Sequence, residues 1–177
     1  MSGGGKLEAL LRNIAARTGG SRTVRVGFLE GSTESDGTSM PMVAAIQEFG
    51  APKAGIPPRP FMRTTVAKHK GEWAGQLAKV LVAQDYDAAT ALGQMGMLIG
   101  GEIQQSIADL TSPALSPVTL MLRKMRAADP SLKVTRKTVG EAAARVKAGE
   151  TTSGVSTKPL IDHGTMFQGV HHEVVDE

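Results

Sequence analysis

The chain of 177 residues contains no cysteine. That excludes disulfides, thiolate zinc sites and thiol catalysis, and it fits a reducing compartment. Aromatic residues are scarce: one Trp, one Tyr and four Phe. A core must therefore rest on Leu, Ile, Val, Met and Ala. A monomer built this way is expected to be modestly stable, with some burial left for subunit association. Long apolar runs are missing too. The longest, residues 88–101, is interrupted by Thr90 and Gln94, and a spanning helix needs roughly 20 apolar residues. The start, MSGGGKLEALL, has no apolar run behind a basic stretch, so no secretory signal is expected. A soluble chain without a membrane partner is the expectation. Neither sign of charge dominates: the formal net charge is +3, too small to imply nucleic-acid binding.

The charges that are present are unevenly placed. Residues 117–158 hold nine Lys/Arg and three Asp/Glu, a local +6, which leaves −3 for the remainder. One segment thus carries the basic excess, and an acidic or polyanionic neighbour suits it. The length suits a single domain, 1–177, with room for a real core.

Hydrophobic spacing outlines the elements. Leu7, Leu10, Leu11 and Ile14 share one face of a first helix, residues 6–17, which stops at Gly19 and Gly20. Residues 23–30 alternate Val24, Val26 and Phe28 against Thr23, Arg25 and Gly27, as a half-buried strand does. Residues 31–39, GSTESDGTS, are a polar loop expected to be mobile. Pro41 suits the first turn of a short helix whose Val43, Ile46 and Phe49 lie on one face, with Gly50 as its stop. Residues 51–60 hold four prolines and form no regular element, and Pro60 opens the next helix.

Two long helices follow. The first, residues 61–84, is expected to bury a single stripe of Met62, Val66, His69, Trp73, Leu77 and Val80. The second, residues 87–110, presents Leu92, Met95, Ile99, Ile103 and Leu110. Asp87 is its expected N-cap, and the two should pack antiparallel. Ser116 and Pro117 read as an N-cap and first residue for a helix to Ala128. Residues 125–157 read as a basic insertion, partly helical and flexible, with a short helix at 139–147. Asp162 is expected to cap a single turn through Phe167, and residues 169–175 alternate as a last strand. The fold class is α+β: a small mixed or antiparallel sheet packed with several helices, including the long antiparallel pair.

Chemistry is thinly supplied. The histidines are His69, His163, His171 and His172. Adjacent His171 and His172 point to opposite faces of a strand, and no zinc-ligand spacing is present. The pair Asp162 and His163 invites a triad reading, but no nucleophile elbow accompanies it, and capping explains Asp162. Gly93, Gly96, Gly100 and Gly101 sit inside the second long helix. Each costs roughly 1 kcal/mol against Ala, so close approach of another helix, from this chain or a second subunit, is expected. The basic segment lacks the aromatic residues that stack single strands. Backbone contact with DNA remains open to it.

Five segments in order carry a resemblance: VRVGFLEG near the start, AAIQEFG at 44–50, IPPRPFMR at 56–63, LSPVTLMLRK at 115–124 and KPLIDHGTMFQGV at 158–170. Together they resemble the tail-completion, or neck, proteins of long-tailed bacteriophages, also called virion morphogenesis or minor tail proteins. That family has an EFG turn, an I-P-x-R-P-F-[LM]-R segment, an L-S-P-x-T helix and a K-P-L-[IV]-D-T-G stretch. This chain departs from it at His163, where the family has Thr, and in the longer link after the L-S-P segment.

The resemblance implies a non-enzymatic virion protein of the head–tail connection. Such a protein forms or completes a ring, six-fold by location, at the head-proximal end of the tail. Its implied partners are further copies of itself, neighbouring neck proteins, the tail terminator and the tail tube. It would be found in the virion, and in the host cytoplasm during assembly. A tail terminator and a non-virion assembly factor are the alternatives; a hydrolase built on Asp162 and His163 is a third. No catalytic residue, cofactor or metal is expected. Phe49, Ile56, Pro58, Arg59, Pro60, Phe61 and Arg63 are expected to form a structural corner, with Arg59 and Arg63 presented for salt bridges to a neighbouring subunit. Lys133, Arg136 and Lys137 are the expected contacts to channel DNA or an acidic ring surface.

Overall fold

A computed structural model of the chain describes residues 3–33, 37–162 and 164–176. The fold is α+β. Among the described residues it has seven α-helices, one 3-10 turn and one antiparallel two-stranded sheet. None of these helices is long and apolar enough to cross a membrane.

The strands β1 (Arg22–Phe28) and β2 (Val170–Asp176) bring the two ends of the chain together, Arg22 opposite Asp176 and Phe28 opposite Val170. Directly opposed residues share a sheet face. Val24, Val26 and Phe28 therefore lie beside Val174, His172 and Val170 on one face. The other face carries the cross-strand pair Arg25–Glu173, 3.6 Å apart.

The long helices α3 (Phe61–Ala83) and α4 (Ala88–Asp109) form the expected hairpin. Its connection is tight because Asp85 and Tyr86 both take left-handed conformations, at φ 50° and 64°. Asp87 then caps α4, its carboxylate accepting from the amides of Ala89 and Thr90. Side chains bridge the pair: Trp73 Nε1 donates to Glu102 at 2.8 Å and Ser106 Oγ to the Phe61 carbonyl at 3.0 Å. The inward stripe of α3 differs from expectation. Phe61 and Thr65 are its buried residues, whereas Val66 is exposed.

Helix α4 lies on the sheet, which resolves its glycines. A Cβ at Gly96 would come within 2.5 Å of the His172 ring, and one at Gly100 would touch Val26 and Val170 at 3.8 Å. The close neighbour is thus the sheet, not a second helix. Gly93 and Gly101 have open space instead.

The main core joins Met40 and Ala44 of α2 (Met40–Phe49), Phe61, Ile103, Ile107, Leu160, Met166 and Val170. Phe28 meets Phe61 edge-on, with ring centroids 6.0 Å apart. A second, smaller cluster joins Met121 and Met125 of α5 (Pro117–Ala128) to Ala142 of α6 (Arg136–Lys147). Ser116 caps α5 as expected, and Thr135 and Thr138 cap α6 reciprocally. The basic segment therefore has an apolar cluster of its own.

Burial along two of the helices does not follow their apolar spacing. Helix α1 (Gly3–Thr18) forms, but Leu7, Leu10 and Leu11 are 58%, 54% and 56% exposed. Its end is tied to the α3–α4 turn, where Arg17 donates to the Asp85 carbonyl at 2.7 Å. In α2 the buried residues are Met40, Ala44 and Glu48, and Phe49 is 65% exposed. The periodicity located both helices; it did not show that α1's apolar face goes uncovered or that a carboxylate lies on the inner face of α2.

Candidate assembly site

The corner between α2 and α3 is built around Glu48. The first amides of a helix have no partner within it, and Pro60, at the N-cap of α3, has no side-chain acceptor to offer. Glu48 supplies one from the preceding helix. Its Oε2 accepts from the Met62 amide at 2.9 Å and its Oε1 from the Arg63 amide at 3.1 Å. A carboxylate at a helix N-terminus is also favoured by the helix dipole. Arg63 completes the arrangement: its Nε donates to Glu48 Oε1 at 2.8 Å and its Nη2 to the Glu48 carbonyl at 2.7 Å. Only 4% of Glu48 is exposed, and its charge is both hydrogen-bonded and paired, as burial requires.

The residues around it lock the chain's path. Arg63 stacks over the Phe49 ring, 4.9 Å from its centroid. Gly50 takes φ +77°, and a Cβ there would come within 2.8 Å of the Pro58 nitrogen. Ala51 and Ile56 exchange backbone hydrogen bonds of 2.9 and 3.1 Å around the 3-10 turn Pro52–Ala54. The Arg59 amide then donates to the Gln47 carbonyl at 2.6 Å. Each residue of the EFG turn thus has a physical role: Glu48 caps the next helix, Phe49 carries the Arg63 cation, and Gly50 makes room for Pro58.

Arg59 is not presented to a neighbour. It is 5% exposed, with Nε donating to the Pro113 carbonyl and Nη1 to the Gln47 side chain at 3.2 and 3.0 Å. Burial lowers its pKa from the ordinary value. Arg63 is more than half exposed, yet its guanidinium is already engaged with Glu48. The expectation that Arg59 is presented for a salt bridge to a neighbouring subunit is therefore corrected by its burial, whereas Arg63 fastens the corner and keeps an exposed face. Phe61 is fully buried in the core, and Phe49 is the large apolar group that the corner leaves outside.

A second hub, Arg123 on α5, was not singled out by sequence reasoning. Its Nη1 donates to the carbonyls of Ser156, Lys158 and Ile161, and its Nη2 to that of Pro159. Its Nε lies 3.4 Å from Asp162. Burial lowers the Arg123 pKa, the Asp162 charge raises it again, and the Arg59 charge lowers it. Asp162 therefore pairs with Arg123, whereas the N-cap of α7 (Thr165–Gln168) is Gly164. His163, the other residue of the triad alternative, lies outside the described residues. Lys158 Nζ donates to the Ala108 carbonyl at 2.7 Å near the end of α4. The run Met121-Leu122-Arg123-Lys124-Met125-Arg126 holds three cations, and only the structure shows that Arg123 is the buried one, which therefore needs acceptors.

Lys133, Arg136 and Lys137 are exposed at and before the start of α6, and they form no ion pair among the described residues. His69 lies 3.4 Å from Glu102 across the helical hairpin. Among the described residues no group of three or more His, Asp and Glu converges to hold a metal. Comparison with protein-family models, curated proteins and solved structures finds no match for the chain.

Proposed function

We propose that this chain is a structural protein of the neck of a long-tailed bacteriophage, forming or completing a ring at the head-proximal end of the tail. The observation that carries the reading is the uncovered leucine face of α1. Three leucines more than half exposed on one helix form an apolar surface suited to another protein. A ring needs such a patch, because a head-to-tail interface joins two different surfaces of neighbouring copies. The resemblance supplies the location. The residues that carry it are used to hold the corner and the 156–162 segment in place, a role suited to a rigid protomer.

In this reading the partners are further copies of the chain, six of them if the ring follows the tail's symmetry, with neighbouring neck proteins, the tail terminator and the tail tube. Quantitative mass spectrometry of purified virions tests it. The expected result is presence at a fixed ring stoichiometry. Absence from finished particles would replace it with the assembly-factor reading.

A further inference from the structure

A cleft of about 550 Å³ opens between the corner, α5 and the segment leading into α7. Its apolar walls include Ile56, Pro57, Leu115, Leu122 and Val134, and it also holds three guanidinium groups against one carboxylate, Asp162. Arg59 and Arg123 are buried and occupied by acceptors of the chain itself. Arg126 differs. It is half-buried, lines both this cleft and the adjoining one of about 260 Å³, and makes no hydrogen bond or ion pair with a described residue.

The geometry points to a docking site for an acidic side chain of a partner protein, carried on a segment with apolar residues beside the acid. A partly desolvated guanidinium without an acceptor favours an anion, and its planar fork suits a carboxylate. The Arg59 and Arg123 charges strengthen that preference where water is sparse. A phosphate would satisfy Arg126 equally well, but the walls decide between them. Apolar walls reward apolar side chains next to the acid. None of the lining residues is aromatic, so bases would find nothing to stack on. Lys133, beside Val134, and Arg136 and Lys137 beyond it extend the positive field outward, which favours capture of an acidic segment. The inference rests on the cleft and does not require the ring reading.

Fluorescence anisotropy with the full chain tests it. The probes are a labelled peptide alternating Leu with Glu, the same peptide with Gln for Glu, and a labelled single-stranded oligonucleotide. The Glu peptide should bind, with the Gln peptide weaker by about tenfold or more, the scale of a lost charged hydrogen bond. Arg126→Glu should weaken the Glu peptide by at least that factor, with the far-UV spectrum unchanged and only a small fall in melting temperature, since Arg126 makes no hydrogen bond or ion pair with a described residue and contributes only its charge in the last turn of α5. Arg136→Glu makes the same charge change outside the cleft and should have the smaller effect. Absence of binding by the Glu peptide, equal binding of the Gln peptide, or equal effects of the two variants would overturn the inference. So would tighter, Arg126-dependent binding of the oligonucleotide, which would assign the cleft to nucleic acid.

Discussion

The corner and helix α1 dispose of their side chains in opposite ways. At the corner a carboxylate and an arginine are buried, Glu48 and Arg59, and each reaches partners at fixed distances. Along α1 three leucines face outward, and Arg17 ties the end of the helix to the α3–α4 turn by a hydrogen bond. A buried, hydrogen-bonded charge tolerates few geometries, because losing its partner is costly. An uncovered apolar face specifies no geometry and gains from whatever covers it. The corner is thus fixed by contacts within the chain, whereas the leucine face of α1 is left open to solvent.

Truncation at the corner should have the largest effects. Phe61→Ala removes a fully buried ring from the junction of α3 and the core. It should cost about 3–5 kcal/mol, a fall in melting temperature of roughly 6–20 °C for a chain of this size. Glu48→Ala leaves two amides and Arg63 without their acceptor and should cost about 3 kcal/mol in urea unfolding. Glu48→Gln keeps one acceptor oxygen and should cost less than Glu48→Ala. Equal losses would mean that the charge matters more than the cap.

The same contrast divides α4. Gly96→Ala drives a methyl into His172 and should destabilise by about 1–3 kcal/mol. Gly93→Ala meets open space and should stabilise by up to about 1 kcal/mol. Thermal melts of the two variants compare directly, and matching signs would contradict the sheet as the cause. On α1, Leu10→Ser should change monomer stability by no more than about 0.5 kcal/mol while weakening self-association in sedimentation. A larger loss in the monomer would place the leucine face on the chain's own body.

The smallest effect is at Asp87. Its pKa lies below the ordinary carboxylate value, chiefly through the Thr90 hydroxyl and then the Thr90 amide. Its capping contribution is therefore complete above the ordinary value and is lost as pH falls through the lowered one. A carboxyl titration by NMR should give a midpoint below that of an unstructured Asp. In Asp87→Asn, which keeps a capping oxygen, this part of the acid dependence should disappear.

Helices and strands were legible because their signals are local. Asp87 and Ser116 announce the starts of α4 and α5, and the alternation of Val24, Val26 and Phe28 announces β1. The two long helices follow from apolar spacing, and their hairpin from a short connection. What stayed hidden depends on residues distant in sequence. Nothing near Pro60 reveals that Glu48 caps α3. Arg123 finds its acceptors more than 30 residues away. Arg59 looked available because charged residues beside prolines usually face water; its partners are Gln47 and the Pro113 carbonyl. The glycines of α4 signalled a close neighbour correctly, but a missing side chain does not say whether a helix or a sheet fills its place.

If the proposed ring is right, α1 is completed in it by another copy of the chain, and electron cryomicroscopy of purified virions would show this. The expected result is a closed ring of this chain where head meets tail, with Leu7, Leu10 and Leu11 covered by a neighbouring copy. Virions that lack the chain, or a ring in which those leucines still face solvent, would contradict it.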